Sequence, residues 1–301
     1  MRYNSYRSYL KKRFGKPVLK IPLNAGFSCP NRDGSIGTKG CSFCDNISFS
    51  PVAISSQNLI EQLNNAIQKN NNKHDIFLAY FQPFSNTYGS IDQLKKAYEP
   101  VINFPNVVGI SIGTRPDCFT KEIFDYLEEI SKRTYVCIEL GLQSCHNKTL
   151  SINNRGHTVE IFSQTVYELS KRNIETSAHV ILGLPYETEE EMIQTAKYLS
   201  SIPVCGVKIH QLMIISNTLV CEWYNKGLVK PFTLEQYSKI LCKFIAHLRP
   251  DQLIHRIMAD SKIQKGLIAP LWSEEKIKSI KFIHEYMDKI NFIQGSEYIK
   301  R

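Results

Sequence analysis

Three thiols, Cys29, Cys41 and Cys44, fall within one Gly-rich stretch, CPNRDGSIGTKGCSFC (29–44), spaced Cys-x11-Cys-x2-Cys. A disulfide is disfavoured if the protein stays in a reducing compartment. A structural zinc site wants four protein ligands; this loop offers three cysteines, no nearby His, and Asp45 as a poor fourth. A catalytic zinc on three thiolates would need an acid/base Glu, and the loop has none. An iron–sulfur cluster fits best: three cysteines hold three irons of a [4Fe–4S] cube, leaving the fourth iron open. Gly34, Gly37 and Gly40 let the backbone wrap such a group closely.

The elements that must position these thiols follow from the rest of the 301 residues, enough for one large α/β domain or two small ones. Hydrophobic residues make up 43% and supply a core, yet no uninterrupted apolar run of about 18 residues suggests a membrane span. The N-terminus, MRYNSYRSYLKKRFGK, is basic and lacks an apolar signal core, so the expected compartment is cytoplasmic, with no membrane partner. Cys137, Cys205 and Cys242 stand singly in apolar runs and read as buried small hydrophobes. The net charge of +9 suits a polyanionic partner such as nucleic acid. Basic residues cluster at the start (Arg2, Arg7, Lys11, Lys12, Arg13, Lys16, Lys20), interleaved with Tyr3, Tyr6, Tyr9 and Phe14. That mix can track phosphates and stack bases, or equally form a helix with an apolar stripe.

Strands are expected at 18–24, 76–82, 107–113, 135–143, 176–184 and 206–214, and helices near 55–69, 91–103, 120–133, 159–173 and 188–201. Thr188 with Glu191 reads as a capping box. Asn70, Asn71 and Asn72 read as a loop. Strict alternation implies a parallel sheet, and polar residues gather at the C-terminal ends of its strands, where β/α barrels build active sites. A doubly wound sheet is the competing topology; no Gly-x-Gly-x-x-Gly follows the first strand, which lowers a dinucleotide reading. After 215 the alternation stops, with further helices at 233–248, capped by Thr233, and 273–290, capped by Ser273. The expected fold is therefore α/β, a partial (β/α)6 TIM-type barrel with a C-terminal helical extension. The basic segment takes 1–16, the barrel 17–215 and the extension 216–301.

The chain resembles the radical S-adenosylmethionine (SAM) enzymes. The usual spacing there is Cys-x3-Cys-x2-Cys; the longer first gap resembles one branch, the family of YhcC and YtqA, relatives of the Elongator catalytic subunit without its acetyltransferase domain. The stretches that carry the likeness are GFSCPNRDGSIGTKGCSFC, AYFQPFSNTY, GTRPDC, ELGLQS, NRGH, ILGLP, GVKIHQL, HRI and APLW, spread over about 13–272. The resemblance implies that Cys29, Cys41 and Cys44 ligate a [4Fe–4S] cluster whose open iron binds SAM, and that an electron donor such as flavodoxin or ferredoxin serves it. It places Phe43 beside the cluster or adenine, Gln82 at the SAM amino group, and Gln143 and Arg155 at the ribose or carboxylate. It puts His179 at the ribose, and Ile181 and Gly183 at the adenine. The motif at Gln82 is usually glycine-rich with an acid; here it reads Tyr80, Phe81, Gln82.

Thr114, Arg115, Asp117, Lys208, His210, His255 and Arg256 remain as substrate candidates at the barrel mouth, although Arg115 and Asp117 could simply pair with each other. The family relation implies tRNA as partner and wobble uridine as target, with carboxymethylaminomethyluridine converted to aminomethyluridine and the N-terminal segment holding the anticodon stem. Two other readings stand beside it: a radical SAM enzyme acting on a small metabolite, and a non-catalytic, metal-containing RNA-binding protein.

Overall fold

β-Branched and apolar residues alternate with a second set of side chains along each strand, and that period of two decides which face meets the helices. The computed structural model describes residues 2–45, 48, 50, 52–53, 55, 57–70 and 73–300. Of the expected Asn loop, Asn71 and Asn72 lie outside the described residues. The strands β1 (Val18–Leu23), β2 (Ile76–Phe81), β3 (Val107–Thr114), β4 (Tyr135–Gln143), β5 (Glu175–Leu182) and β6 (Gly206–Gln211) pair in sequence order, all parallel. A two-residue strand, β7 (Ile214–Ile215), follows; β8 (Leu253–Arg256) then joins β6 in parallel and completes a seven-stranded open sheet. The expected partial barrel is therefore present, with one strand more than the six read from sequence. β9 (Leu267–Ala269) pairs antiparallel with β7.

The helices are α1 (Tyr6–Phe14), α2 (Leu59–Lys69), α3 (Ile91–Ile102), α4 (Lys121–Ser131), α5 (Asn147–Ile152) and α6 (Val159–Lys171). They continue as α7 (Glu189–Ser201), α8 (Leu219–Asn225), α9 (Leu234–Ala246) and α10 (Lys276–Lys289). Capping boxes start α2, α3, α7 and α9, satisfying N–H groups that the first turn leaves open; those of Thr188 and Thr233 match expectation. Ser273 does not cap α10. It sits in a 3-10 turn, and its hydroxyl accepts from Gln211 Nε2 at 2.7 Å.

Outward strand residues such as Ile21, Leu23, Phe81, Ile112, Ile138 and Ile209 form one core with the helices. Inward positions carry Lys20, Tyr80, Ser111, Glu139, His179 and Lys208 instead. Among the lone cysteines, Cys137 and Cys242 are buried as expected, but Cys205, at the entry to β6, is exposed.

The N-terminal segment does not lie at the mouth. α1 touches both edge strands, β1 and β8, and Ser5 forms a parallel bridge to Ile254. Tyr6 is buried against the start of β4, its hydroxyl 3.2 Å from that of Tyr135, and its ring stacks on His255 with centroids 3.7 Å apart. Tyr9 donates to Glu175 at the start of β5. Tyr6 and Tyr9 thus pack at the barrel floor, while Arg7, Lys11 and Lys12 of the same helix stay exposed. β4 runs nine residues from that floor, about 25 Å at 3.3 Å per residue.

Candidate functional site

The loop after β1 owes its shape to a second segment, 153–156. Ser42 N–H donates to Asn153 O at 3.0 Å, Asn154 Nδ2 to Gly40 O at 2.7 Å, and Asn31 Nδ2 to Asn154 O at 2.7 Å and Arg155 O at 3.1 Å. Gly156 has φ +75°, and a Cβ there would stand 2.5 Å from Asn31 Oδ1, so only glycine lets the two segments meet. Cys44 N–H closes a turn on Cys41 O at 3.0 Å, and Arg32 donates to Cys44 O. The three cysteines line one pocket at the C-terminal ends of the strands.

The residues fit an iron–sulfur cluster. Among the described residues, no three Cys, His, Asp or Glu side chains converge closely enough for a single metal ion. All three thiols line the same pocket, and thiolates are the ligands that an iron–sulfur cluster takes. Two donors point at the Cys41 sulfur, Asn31 Nδ2 at 3.5 Å and Arg155 Nη1 at 3.6 Å, a surrounding suited to a thiolate. Burial and the neighbouring Cys41 push the Cys44 thiol up to about 11 against the pull of Arg32. A sulfur-binding cation is what stabilises the thiolate in such a place. Arg155 is buried, its Nη2 donates to Gly141 O at 2.8 Å, and its Nε finds no partner among the described residues. An orphaned guanidinium N–H beside the thiols offers an anion a ready donor.

All the site residues expected from sequence line this pocket except Asp117, Gly183 and His255. Asp117 pairs bidentately with Arg115, Nε to Oδ1 at 2.9 Å and Nη2 to Oδ2 at 2.7 Å. Arg115 Nη1 then donates to Arg155 O at 2.8 Å. The pair braces the 153–156 segment, the internal pairing that the sequence left open beside a substrate role. Gly183 packs on Phe232, whose ring a Cβ would meet at 2.9 Å. His255 does not line the pocket and stacks on the Tyr6 ring with centroids 3.7 Å apart. Thr114 shares a 2.7 Å hydrogen bond with Thr87. Gln143 takes φ +78° at a register shift where β4 meets β5, which turns its amide back over Gly141. Gln82 N–H donates to Leu23 O at 3.2 Å, holding the end of β2 against β1. Phe43 packs with the small apolar cluster of Ile181, Leu184 and Leu212.

Sequence reasoning missed the centre of the lumen. Glu139 is fully buried and accepts from Lys20 Nζ, Ser111 Oγ at 2.8 Å, His179 Nε2 at 2.7 Å and Lys208 Nζ at 2.8 Å. Burial alone would raise its pKa; Lys20, Lys208 and His179 outweigh that and hold it well below the usual carboxylate range. Burial, then the charge on Lys208, presses His179 down to about 4. Burial presses Lys208 down to about 7 although Glu139 opposes the change. The signal was present in period two: in YVCIELGLQ, Glu139 shares its face with Cys137, Gly141 and Gln143.

An open parallel half-barrel with three thiols on the loop after its first strand is the architecture of a radical SAM protein. The chain belongs to the radical SAM superfamily and, within it, to the family of YtqA and YhcC. Its residues 32–199 match the Radical SAM superfamily and 204–289 match the Radical_SAM C-terminal domain. It is 35% identical to YtqA of Bacillus subtilis over 98% of this chain and 92% of that protein. It is 36% identical to YhcC of Escherichia coli K12 over 97% and 94%. A more distant relative is the tRNA uridine(34) acetyltransferase of Methanocaldococcus jannaschii, 28% identical over 60% of this chain and 33% of that one. Among solved structures, the archaeal Elp3 of Methanocaldococcus infernus aligns with a TM-score of 0.62 at 15% identity, over 92% of this chain and 64% of that one. That match shows the shared fold. The chain is thus a radical SAM enzyme, and among the described residues no helix is long and apolar enough to cross a membrane.

Proposed function

We propose that this enzyme uses a [4Fe–4S] cluster on Cys29, Cys41 and Cys44 to modify the wobble uridine of tRNA, converting a carboxymethylaminomethyl side chain to aminomethyl. The observation that carries the reading is one pocket holding three thiols, the unpartnered Arg155 Nε and a lysine-rich lumen. With SAM bound, the cluster would supply a 5′-deoxyadenosyl radical that abstracts a hydrogen atom. This chain's own residues bind and exclude water around it. Arg155 meets the SAM carboxylate with its free N–H, Phe43 and Ile181 flank the adenine, and Gln143 and Gln82 face the remaining polar atoms. The relative named for tRNA uridine(34) supports the substrate class. A single-stranded anticodon base can splay into a pocket that a stacked helix cannot enter. Flavodoxin or ferredoxin would deliver the electron.

The test is nucleoside mass spectrometry of total tRNA from cells with the gene, without it, and with Cys44→Ala. Carboxymethylaminomethyluridine is expected to accumulate, at the expense of aminomethyl and methylaminomethyl products, in both altered strains. Unchanged tRNA in a host with no second route removes the assignment and favours a small-metabolite substrate. The same tRNA defect rescued fully by Cys44→Ala would favour a binding role without catalysis.

A further inference from the structure

The barrel lumen holds more cations than one carboxylate can balance. Glu139 faces both Lys20 and Lys208. Arg256, on the same pocket wall, pairs with Asp260 at 3.3 Å, and Lys276 shares that carboxylate at 2.9 Å. Lys20 and Lys208 thus share one fully buried carboxylate, Glu139, while Arg256, Asp260 and Lys276 keep partial access to water. Lys208 spends two of its three N–H donors, on Tyr80 Oη at 2.9 Å and Glu139 Oε2 at 2.8 Å. His210, two residues further along the same inward face of β6, has a buried Nε2 with no partner among the described residues. Buried polar atoms are nearly always satisfied, so this one marks the place of something that binds.

We propose that Lys208, His210 and Arg256 form a subsite for a carboxylate on the substrate's own side chain, with Glu139 as the residue that positions Lys208. The assignment deepens the wobble-uridine reading and rests on it. The subsite lies on strands below the pocket mouth, within reach of a group extending from an inserted base and away from the exposed surface where backbone phosphates run. It also sorts substrate from product. The carboxymethylaminomethyl group is a zwitterion whose carboxylate can meet Lys208 and Arg256, whereas the aminomethyl product keeps only its ammonium, which those cations repel.

The experiment compares two anticodon stem-loops, identical except for carboxymethylaminomethyl or aminomethyl at the wobble uridine, binding to the cluster-loaded enzyme. The wild type should prefer the first by at least about tenfold, the scale of one buried charge-assisted hydrogen bond. Lys208→Met should cut that preference to within about threefold by weakening the carboxymethylaminomethyl RNA while the aminomethyl RNA binds as well or better, and Lys208→Arg should restore part of the preference. A purely structural loss would weaken both RNAs alike, and that result overturns the subsite. So does a preference that survives in Lys208→Met and in His210→Phe. A wild type that cleaves SAM but binds neither RNA instead removes the tRNA reading, and the carboxylate assignment with it.

Discussion

Replacing Glu139 with Gln tests whether the lumen is held together by charge. Gln keeps the shape and one acceptor oxygen, but presents an NH2 where His179 and Lys208, or Lys20 and Ser111, now donate. Two of four accepted bonds go, and donors face donors. Lys208 cannot leave, since its side chain is 10% exposed on a central strand; Lys20, at 26%, has some access to water. Breaking a buried pair while leaving its partner charged costs about 3–5 kcal/mol. Set against a net stability of about 5–15 kcal/mol, that is a large fraction. At about 2–4 °C per kcal/mol it lowers the thermal midpoint by roughly 6–20 °C. The double variant Glu139→Gln with Lys208→Met removes the stranded charge as well. It should melt higher than Glu139→Gln alone, with a coupling energy of about 1–3 kcal/mol. The assay is thermal unfolding followed by circular dichroism on cluster-free protein, so that iron loading does not enter the comparison. A single variant within about 1 kcal/mol of wild type, or a double variant equal to the sum of its parts, would refute the reasoning.

Gly156→Ala should disturb the cysteine loop rather than the barrel, because its Cβ would lie 2.5 Å from an Asn31 amide fixed by Asn154 O and Arg155 O. Gly26→Ala is the control: Gly26 has the same φ of +75° but nothing within 4 Å, so both share about 1–2 kcal/mol of backbone strain and only Gly156→Ala adds the clash. Iron bound per chain after anaerobic reconstitution should fall by about half or more in Gly156→Ala alone, and equal loading in the two would contradict the loop account. Acid should destabilise the lumen early. His179 is pushed down to about 4 from an ordinary 6.5, so between those values the unfolded chain holds the extra proton and stability falls as pH falls. Lys208, pushed down to about 7 from 10.5, gives the same sign from 7 to 10.5: the unfolded chain holds the extra proton, and its contribution rises with pH. Denaturant midpoints from pH 4 to 6.5 should therefore slope less in His179→Gln than in wild type, and an unchanged slope would assign the loss to other groups.

The parallel half-barrel was legible because its strands are long β-branched runs and its helices carry amphipathic faces with cap residues. β8 was not legible: LIHR is four residues, follows a turn, and becomes a strand through pairing with β6. α8, seven residues, and α5, six, are too short for periodicity to show. The thiols, Arg155 and His179 were readable as a site because their motifs stand in local sequence. Arg115 and Asp117 were readable only as polar residues at a strand end; sequence spacing gives no hint that Arg155 O would take the remaining guanidinium arm.

Glu139 shows why the lumen is harder to read than the mouth. A carboxylate inside an apolar nine-residue run has a cost that sequence alone leaves unexplained, because its compensation comes from three other strands. Lys20 arrives from β1, His179 from β5 and Lys208 from β6, each at an inward position of its strand. None of the three is near Glu139 in sequence, and nothing local to Lys20, His179 or Lys208 names Glu139 as its partner. Curling the sheet brings them to one point. The same curl leaves β1 and β8 unpaired with each other, and α1 crosses the gap, stacking Tyr6 on His255 directly under the hub. The basic, tyrosine-rich start of the chain thus supports the lumen from below while the cysteine loop closes over it from above. A charge network spanning a barrel in this way ties β1, β4, β5 and β6 together at one point and so resists stretching of the sheet.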